Sequence, residues 1–227
     1  MSPMTGLIFA SVAFVVTHLG LSGPMRHGLL RPLGEKGFML VYSLVALACM
    51  VAMAHFYGPA REGALILWGV NEWVWVPASM VMWVACILFL GSLRRNPAFP
   101  HPGAQPQQFP EKAVGVYAIT RHPMMWAFAL WAIVHALVNP TLPSFMISAA
   151  IAIVALAGSA AQDERKALTI GEPFRDWKAR TAFVPFTRGF DFPDRFSFYG
   201  GTLLFFAATL AHKWLADMPA GFWRYLD

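Results

Sequence analysis

Apolar residues fall into six long runs, Met4–Leu21, Phe38–Tyr57, Trp73–Ser92, Met124–Val138, Pro143–Ala161 and Phe198–Leu215. A hydrocarbon layer of about 30 Å needs roughly 20 helical residues to cross, and most of these runs meet that length. They are continuous and rich in Ala, Leu, Met and Phe, whereas a barrel strand would alternate apolar and polar positions over about ten residues. An open sheet is excluded inside lipid because its edge groups have no partner. The pattern therefore predicts an all-α, polytopic membrane helix bundle of about six transmembrane helices. The chain, 1–227, reads as a single transmembrane domain without an internal repeat or a separate soluble region.

Two polar stretches interrupt the apolar runs. The first, Asn96–Pro110, repeats proline too often for a helix and reads either as a linker or as a cap over an opening. The second runs from Asp163 to Phe186, mixes charge with aromatics and places Pro173 at a favourable first helical position. It predicts an amphipathic interfacial helix with Phe174 and Trp177 among the headgroups and its basic residues at the phosphates.

Composition agrees with the pattern: 57% of residues are hydrophobic and 13% charged, against about 25% charged in soluble domains. The net charge of +5 is explained by topology, since fourteen of the seventeen Lys and Arg residues lie in the first, third and fifth connections. The positive-inside rule then turns both termini away from the cytoplasm. Basic residues spread over loops make no single nucleic-acid-binding face. No basic residue precedes the first run, which is the reverse of a cleavable signal peptide, so this run is expected to be retained. Cys49 and Cys86 each fall inside a run with no Cys-x-x-Cys spacing and read as packing residues.

Candidate chemistry lies with histidines, because ionisable groups inside lipid are costly enough to mark function. His18, His55, His122, His135 and His212 lie in or beside the apolar runs, and His27 and His101 fall in loops. In Arg121-His122-Pro123, proline suits a helix start and arginine anchors the boundary, but neither accounts for His122. His135 follows thirteen residues later, about 20 Å along a helix and roughly 140° around it, so one helix cannot offer both to one iron. Two axial ligands must come from facing helices. Depth alone pairs His18 with His122 and His55 with His135. Trp131 precedes His135 by one turn and shares its face.

Five stretches, His18-Leu-Gly-Leu-Ser-Gly, Ile119-Thr-Arg-His-Pro123, Leu130-Trp-Ala-Ile-Val-His135, Asp163-Glu-Arg-Lys166 and Arg180-Thr-Ala-Phe-Val-Pro-Phe186, resemble the NnrU family of membrane proteins. That family includes the zeta-carotene isomerases of plants and cyanobacteria. The resemblance implies a multi-span protein of the bacterial inner (cytoplasmic) membrane, in which the charge distribution makes both termini periplasmic, and a link to denitrification through nitrite and nitric oxide reduction. Through the isomerase branch it implies a b-type haem and a cis-to-trans change in a lipophilic polyene. Carried over by motif, the haem ligands fall on His18 and His135, and the cysteine proposed in that branch as an alternative ligand falls on Ala132. From position, His122 is the reserve ligand, and Arg121 and Trp131 are further cofactor-binding candidates.

Arg121–Pro123, Asp163-Glu164 and Gly171–Trp177 also look like membrane methyltransferases that act on isoprenylcysteine or phospholipid. In that reading Arg121 meets the carboxylate of S-adenosylmethionine, Glu164 its amine, and His122 orients it. The aromatic residue expected two positions after the proline is absent, since Met124-Met125 follows, and His18 and His135 are left without a task. A third reading is a non-catalytic assembly factor for respiratory or denitrification proteins. The haem-protein reading takes precedence, with the lipid bilayer and a lipophilic substrate as partners and no nucleic acid.

Overall fold

Each of the six apolar runs is a helix in the computed structural model, which describes residues 1–94, 109–216 and 218–226. The helices are α1 (Pro3–Ser22), α2 (Arg26–Arg61), α3 (Glu72–Ser92), α4 (Val116–Ile119), α5 (Pro123–Val138), α6 (Leu142–Thr169), α7 (Glu172–Arg180) and α8 (Gly201–Leu215). A π turn, Phe196–Gly200, leads directly into α8, and a 3-10 turn spans Gly221–Tyr225. Among the described residues, α1, α2, α3 and α6 are long and apolar enough to cross a membrane. The apolar α5 is shorter at 16 residues. The protein is an all-α membrane protein.

The ends follow from local chemistry. Ser2 Oγ accepts a bond from Thr5 N at 3.2 Å and caps α1, while Pro123 opens α5, where its missing N–H costs nothing. The first connection differs from expectation, because α2 already begins at Arg26 and carries Arg26, His27, Arg31 and Lys36. Gly34, at φ 64°, breaks the helical path and divides this basic segment from the apolar one. Only glycine takes that conformation without steric cost. The stretch Asn96–Pro110, read as a linker or a cap and including His101, falls outside the described residues except for Phe109 and Pro110.

The chain packs as two units. Unit 1 comprises 1–70 and 132–161, and its core joins Leu7, Ala10 and Phe14 of α1 to Met53 of α2 and Ala150 of α6. Close approach is built in at Gly6, where a Cβ would lie 2.5 Å from the Phe56 ring. At the same end, Tyr57 OH accepts from Asn139 Nδ2 at 2.9 Å, and Trp68 Nε1 donates to Leu137 O at 3.1 Å. Ser11 and Ser148 are buried, and neither hydroxyl has a hydrogen-bond partner among the described residues. Replacing an unpaired buried hydroxyl by a methyl group removes a desolvation penalty of about 1–3 kcal/mol. Ser148→Ala is therefore expected to leave the melting temperature in detergent unchanged or raise it, and a clear drop would reveal a partner for that hydroxyl.

Unit 2 comprises 71–131 and 162–227. Its core gathers Ala85, Ile87 and Leu88 of α3, Val116, Tyr117 and Ile119 of α4, Ala127 of α5, and Phe174 and Trp177 of α7. The amphipathic helix α7 is present, but Phe174 and Trp177 are each only 3% exposed, so its aromatic face does not lie among headgroups. Gly171, at φ 79°, reverses the chain after α6, and residues three apart on α7 then present one face to the protein. Phe109 stacks on Trp177 at 5.8 Å and meets Phe174 edge-on at 5.6 Å. The charged face of α7 is tied up locally, with Arg175 paired to Glu172 and Lys178 to Glu164.

Candidate functional site

The Ile119–Pro123 stretch forms the centre of unit 2. Between α4 and α5 the chain passes through extended residues, and a second strand of backbone, Thr181–Phe186, is pinned to it. Arg121 N donates to Ala182 O at 2.9 Å, Phe186 N to Ile119 O at 3.0 Å, and Thr120 Oγ1 to Phe183 O at 2.7 Å. The Thr120 hydroxyl also accepts from His122 N at 3.2 Å. These bonds fix the direction in which Arg121 and His122 leave the backbone.

Both side chains converge on Asp163 of α6. Arg121 Nε and Nη2 lie 2.8 and 2.6 Å from Asp163 Oδ2, and Nη1 donates to Thr181 O at 2.9 Å. His122 Nε2 lies 2.8 Å from Asp163 Oδ1. Exposure is 9% for Arg121, 7% for His122 and 2% for Asp163. Charges this buried persist only when paired and hydrogen-bonded, and here both carboxylate oxygens and three guanidinium donors are satisfied. Phe183 closes the cluster, with its ring 5.3 Å from the Arg121 guanidinium carbon and edge-on to His122 at 5.5 Å.

The carboxylate only accepts hydrogen bonds, so Nε2 of His122 carries the proton and a neutral ring keeps its lone pair on Nδ1. The arrangement can therefore hold a proton at one fixed atom and offer an acceptor at another. A small cleft beside the cluster is lined by Phe109, His122, Gln162, Lys166, Phe174 and Trp177. Lys166 Nζ lies 5.9 Å over the Phe174 ring. Behind the cluster, Tyr117 OH donates to Ser92 O at 3.2 Å, and burial pushes its phenol well above the usual tyrosine range. Tyr117 thus serves as a donor that ties α4 to the end of α3.

Of the residues read against S-adenosylmethionine, Arg121 bonds Asp163 and Thr181 O, and Glu164 is exposed and paired with Lys178 at 2.7 Å.

His18 and His135 both belong to unit 1. His18 is half-buried on α1, its Nδ1 3.0 Å from Phe14 O, with Phe14 at 4.1 Å and Tyr42 at 5.2 Å between ring centres. His135 is half-buried near the end of α5, and its carbonyl accepts from Ser144 Oγ at 3.3 Å and from Asn139 N at 3.0 Å. Trp131 lies one turn earlier on the same helix, and Ala132 is buried. His55 is exposed, and His212 Nδ1 lies 2.7 Å from Ala208 O. Among the described residues there is no group of three or more His, Cys, Asp or Glu placed to hold a metal ion. The structure thus brings Arg121, His122 and Asp163 together within unit 2.

Sequence reasoning named Arg121 and His122 but assigned the acidic role to Glu164. The overlooked signal was position, since Asp163 is the first acid after the apolar run of α6, where an unpaired carboxylate is least tolerable.

The chain is 26% identical over 199 residues to the chloroplastic 15-cis-zeta-carotene isomerase of Arabidopsis thaliana, a match covering 84% of this chain and 52% of that protein. It is 23% identical over 188 residues to the corresponding Zea mays isomerase, covering 79% of this chain and 49% of that one. It therefore spans about half the length of these relatives. No solved structure matches it. The family model described as NnrU protein matches residues 6–220, and the chain belongs to the NnrU family.

Proposed function

We propose that the protein is a membrane isomerase that turns a cis double bond of a lipophilic polyene to trans. The observation that carries this reading is the similarity to 15-cis-zeta-carotene isomerases across 84% of the chain. The chemistry suits the molecule. Substrate and product have the same formula, so no group is transferred and no net electrons are gained or lost. A hydrocarbon substrate dissolves in the same bilayer that the apolar helices occupy.

In this reading Arg121, Asp163 and Thr181 are positioning residues. They hold the start of α5 against the Ala182–Phe183 backbone and fix His122 in one tautomer. The distribution of basic residues favours a cytoplasmic orientation for the Arg121 end of α5 in a bacterial inner membrane.

The reading is tested by expressing the chain in bacteria that make 15-cis-zeta-carotene, grown in darkness so that light does not isomerise the polyene. Chromatography should show the 15-trans isomer accumulating only in cells that carry the protein. Identical isomer ratios with and without it, at matched membrane expression, would reject the proposal.

A further inference from the structure

We infer that His18 and His135 of this chain are not the two axial ligands of one haem iron. The ruler is α6, which in unit 1 runs beside both. Its Ser144 side chain bonds the His135 carbonyl at 3.3 Å, which sets the level of His135. A Cβ at Gly158 would touch Leu19 Cδ2 at 4.0 Å, which sets the level of the residue next to His18. Ser144 and Gly158 are fourteen residues apart on one helix, about 21 Å at 1.5 Å per residue.

Between these levels, Leu7, Ala10 and Phe14 of α1 share one core cluster with Met146, Ala150 and Val154 of α6. From the other end, Phe56 meets Gly6, next to the Tyr57 that bonds Asn139. His135 therefore lies toward the start of α1, and His18 lies near its end.

Two imidazoles on one iron allow their Cα atoms to be at most about 13 Å apart, from two Fe–N bonds of about 2 Å and two side chains of roughly 4.5 Å each. That limit already takes both side chains as fully extended toward each other. The separation along the helix axis alone exceeds it. His122 does not replace either ligand as the ring stands, because its Nε2 is held by Asp163. The inference concerns side-chain placement only, and it stands or falls independently of the isomerase reading.

The purified protein in detergent, titrated with hemin and followed by absorption and electron paramagnetic resonance, tests this. The expected result is no low-spin bis-histidine signal that requires both residues. Either no hemin binds, or His18→Ala and His135→Ala alter the spectrum independently. A low-spin signal abolished by each single substitution would overturn the inference. A second measurement does not depend on haem or on removing either imidazole by alanine. Nitroxide labels at His18→Cys and His135→Cys, in a background with Cys49→Ser and Cys86→Ala, should give a dipolar distance of about 20 Å or more, as the helix register requires. A dominant distance below about 13 Å, the span that one iron allows, would contradict it.

Discussion

Asp163→Asn is expected to destabilise the protein by about 3–5 kcal/mol, the usual cost of leaving one member of a buried ion pair uncompensated. The substitution keeps the shape of the side chain and removes its charge. Arg121, at 9% exposure, then keeps a full positive charge with only the neutral Thr181 carbonyl and the Phe183 ring beside it. The amide also cannot accept from Arg121 and His122 on two equivalent oxygens. For a chain of this size, each kcal/mol corresponds to roughly 2–4 °C in melting temperature, so a loss on the order of 10 °C should appear in thermal unfolding followed by circular dichroism. Glu164→Gln, one residue away but exposed, is the control and should shift the transition by little, since exposed pairs contribute about 0–1 kcal/mol. Equal small shifts in both variants would show that the Asp163 cluster does not hold unit 2 together.

Gly201→Ala is the second large effect. A Cβ there would lie 2.5 Å from Ile87 Cα and 2.7 Å from Ile87 N, and backbone atoms cannot swing away as a flexible side chain can. Helices α3 and α8 must separate, disturbing the 2.9 Å bond from Trp83 Nε1 to Thr202 Oγ1 and the edge-on contact of Trp83 with Phe198. Overpacking of this kind costs about 1–3 kcal/mol. Gly158→Ala gives the contrast. Gly158 is well inside α6, its would-be Cβ meets only the flexible end of Leu19 at 4.0 Å, and in a helix interior alanine is favoured over glycine by roughly 0.5–1 kcal/mol. The two substitutions are the same on paper and should move the melting temperature in opposite directions.

Much of the helical layout was legible because lipid leaves a chain few choices. An apolar run such as Trp73–Ser92 has to become a helix, and α3 covers Glu72–Ser92. Boundaries set by conformation rather than composition were harder to read. The basic residues before Phe38 look like a loop, yet they are helical up to a break set by the positive φ of Gly34. The amphipathic character of α7 was visible, but whether its aromatic face meets lipid or protein depends on what lies opposite it. The partner is Phe109, sixty-five residues before Phe174 in sequence. The candidate site shows the same division. Arg121 and His122 stand out in the sequence as polar residues beside an apolar run, whereas the choice of Asp163 over Glu164 depends on the rotation of α6. Helix neighbours point about 100° apart, so one acid faces the buried arginine and the other faces Lys178.

The most direct test of the proposed activity uses the purified protein in lipid vesicles loaded with 15-cis-zeta-carotene and kept in darkness. Aliquots taken over time are resolved by chromatography against vesicles holding heat-denatured protein. Conversion to the 15-trans isomer at a rate proportional to folded protein is the predicted result. A 15-cis fraction that stays equal in both sets of vesicles would contradict it.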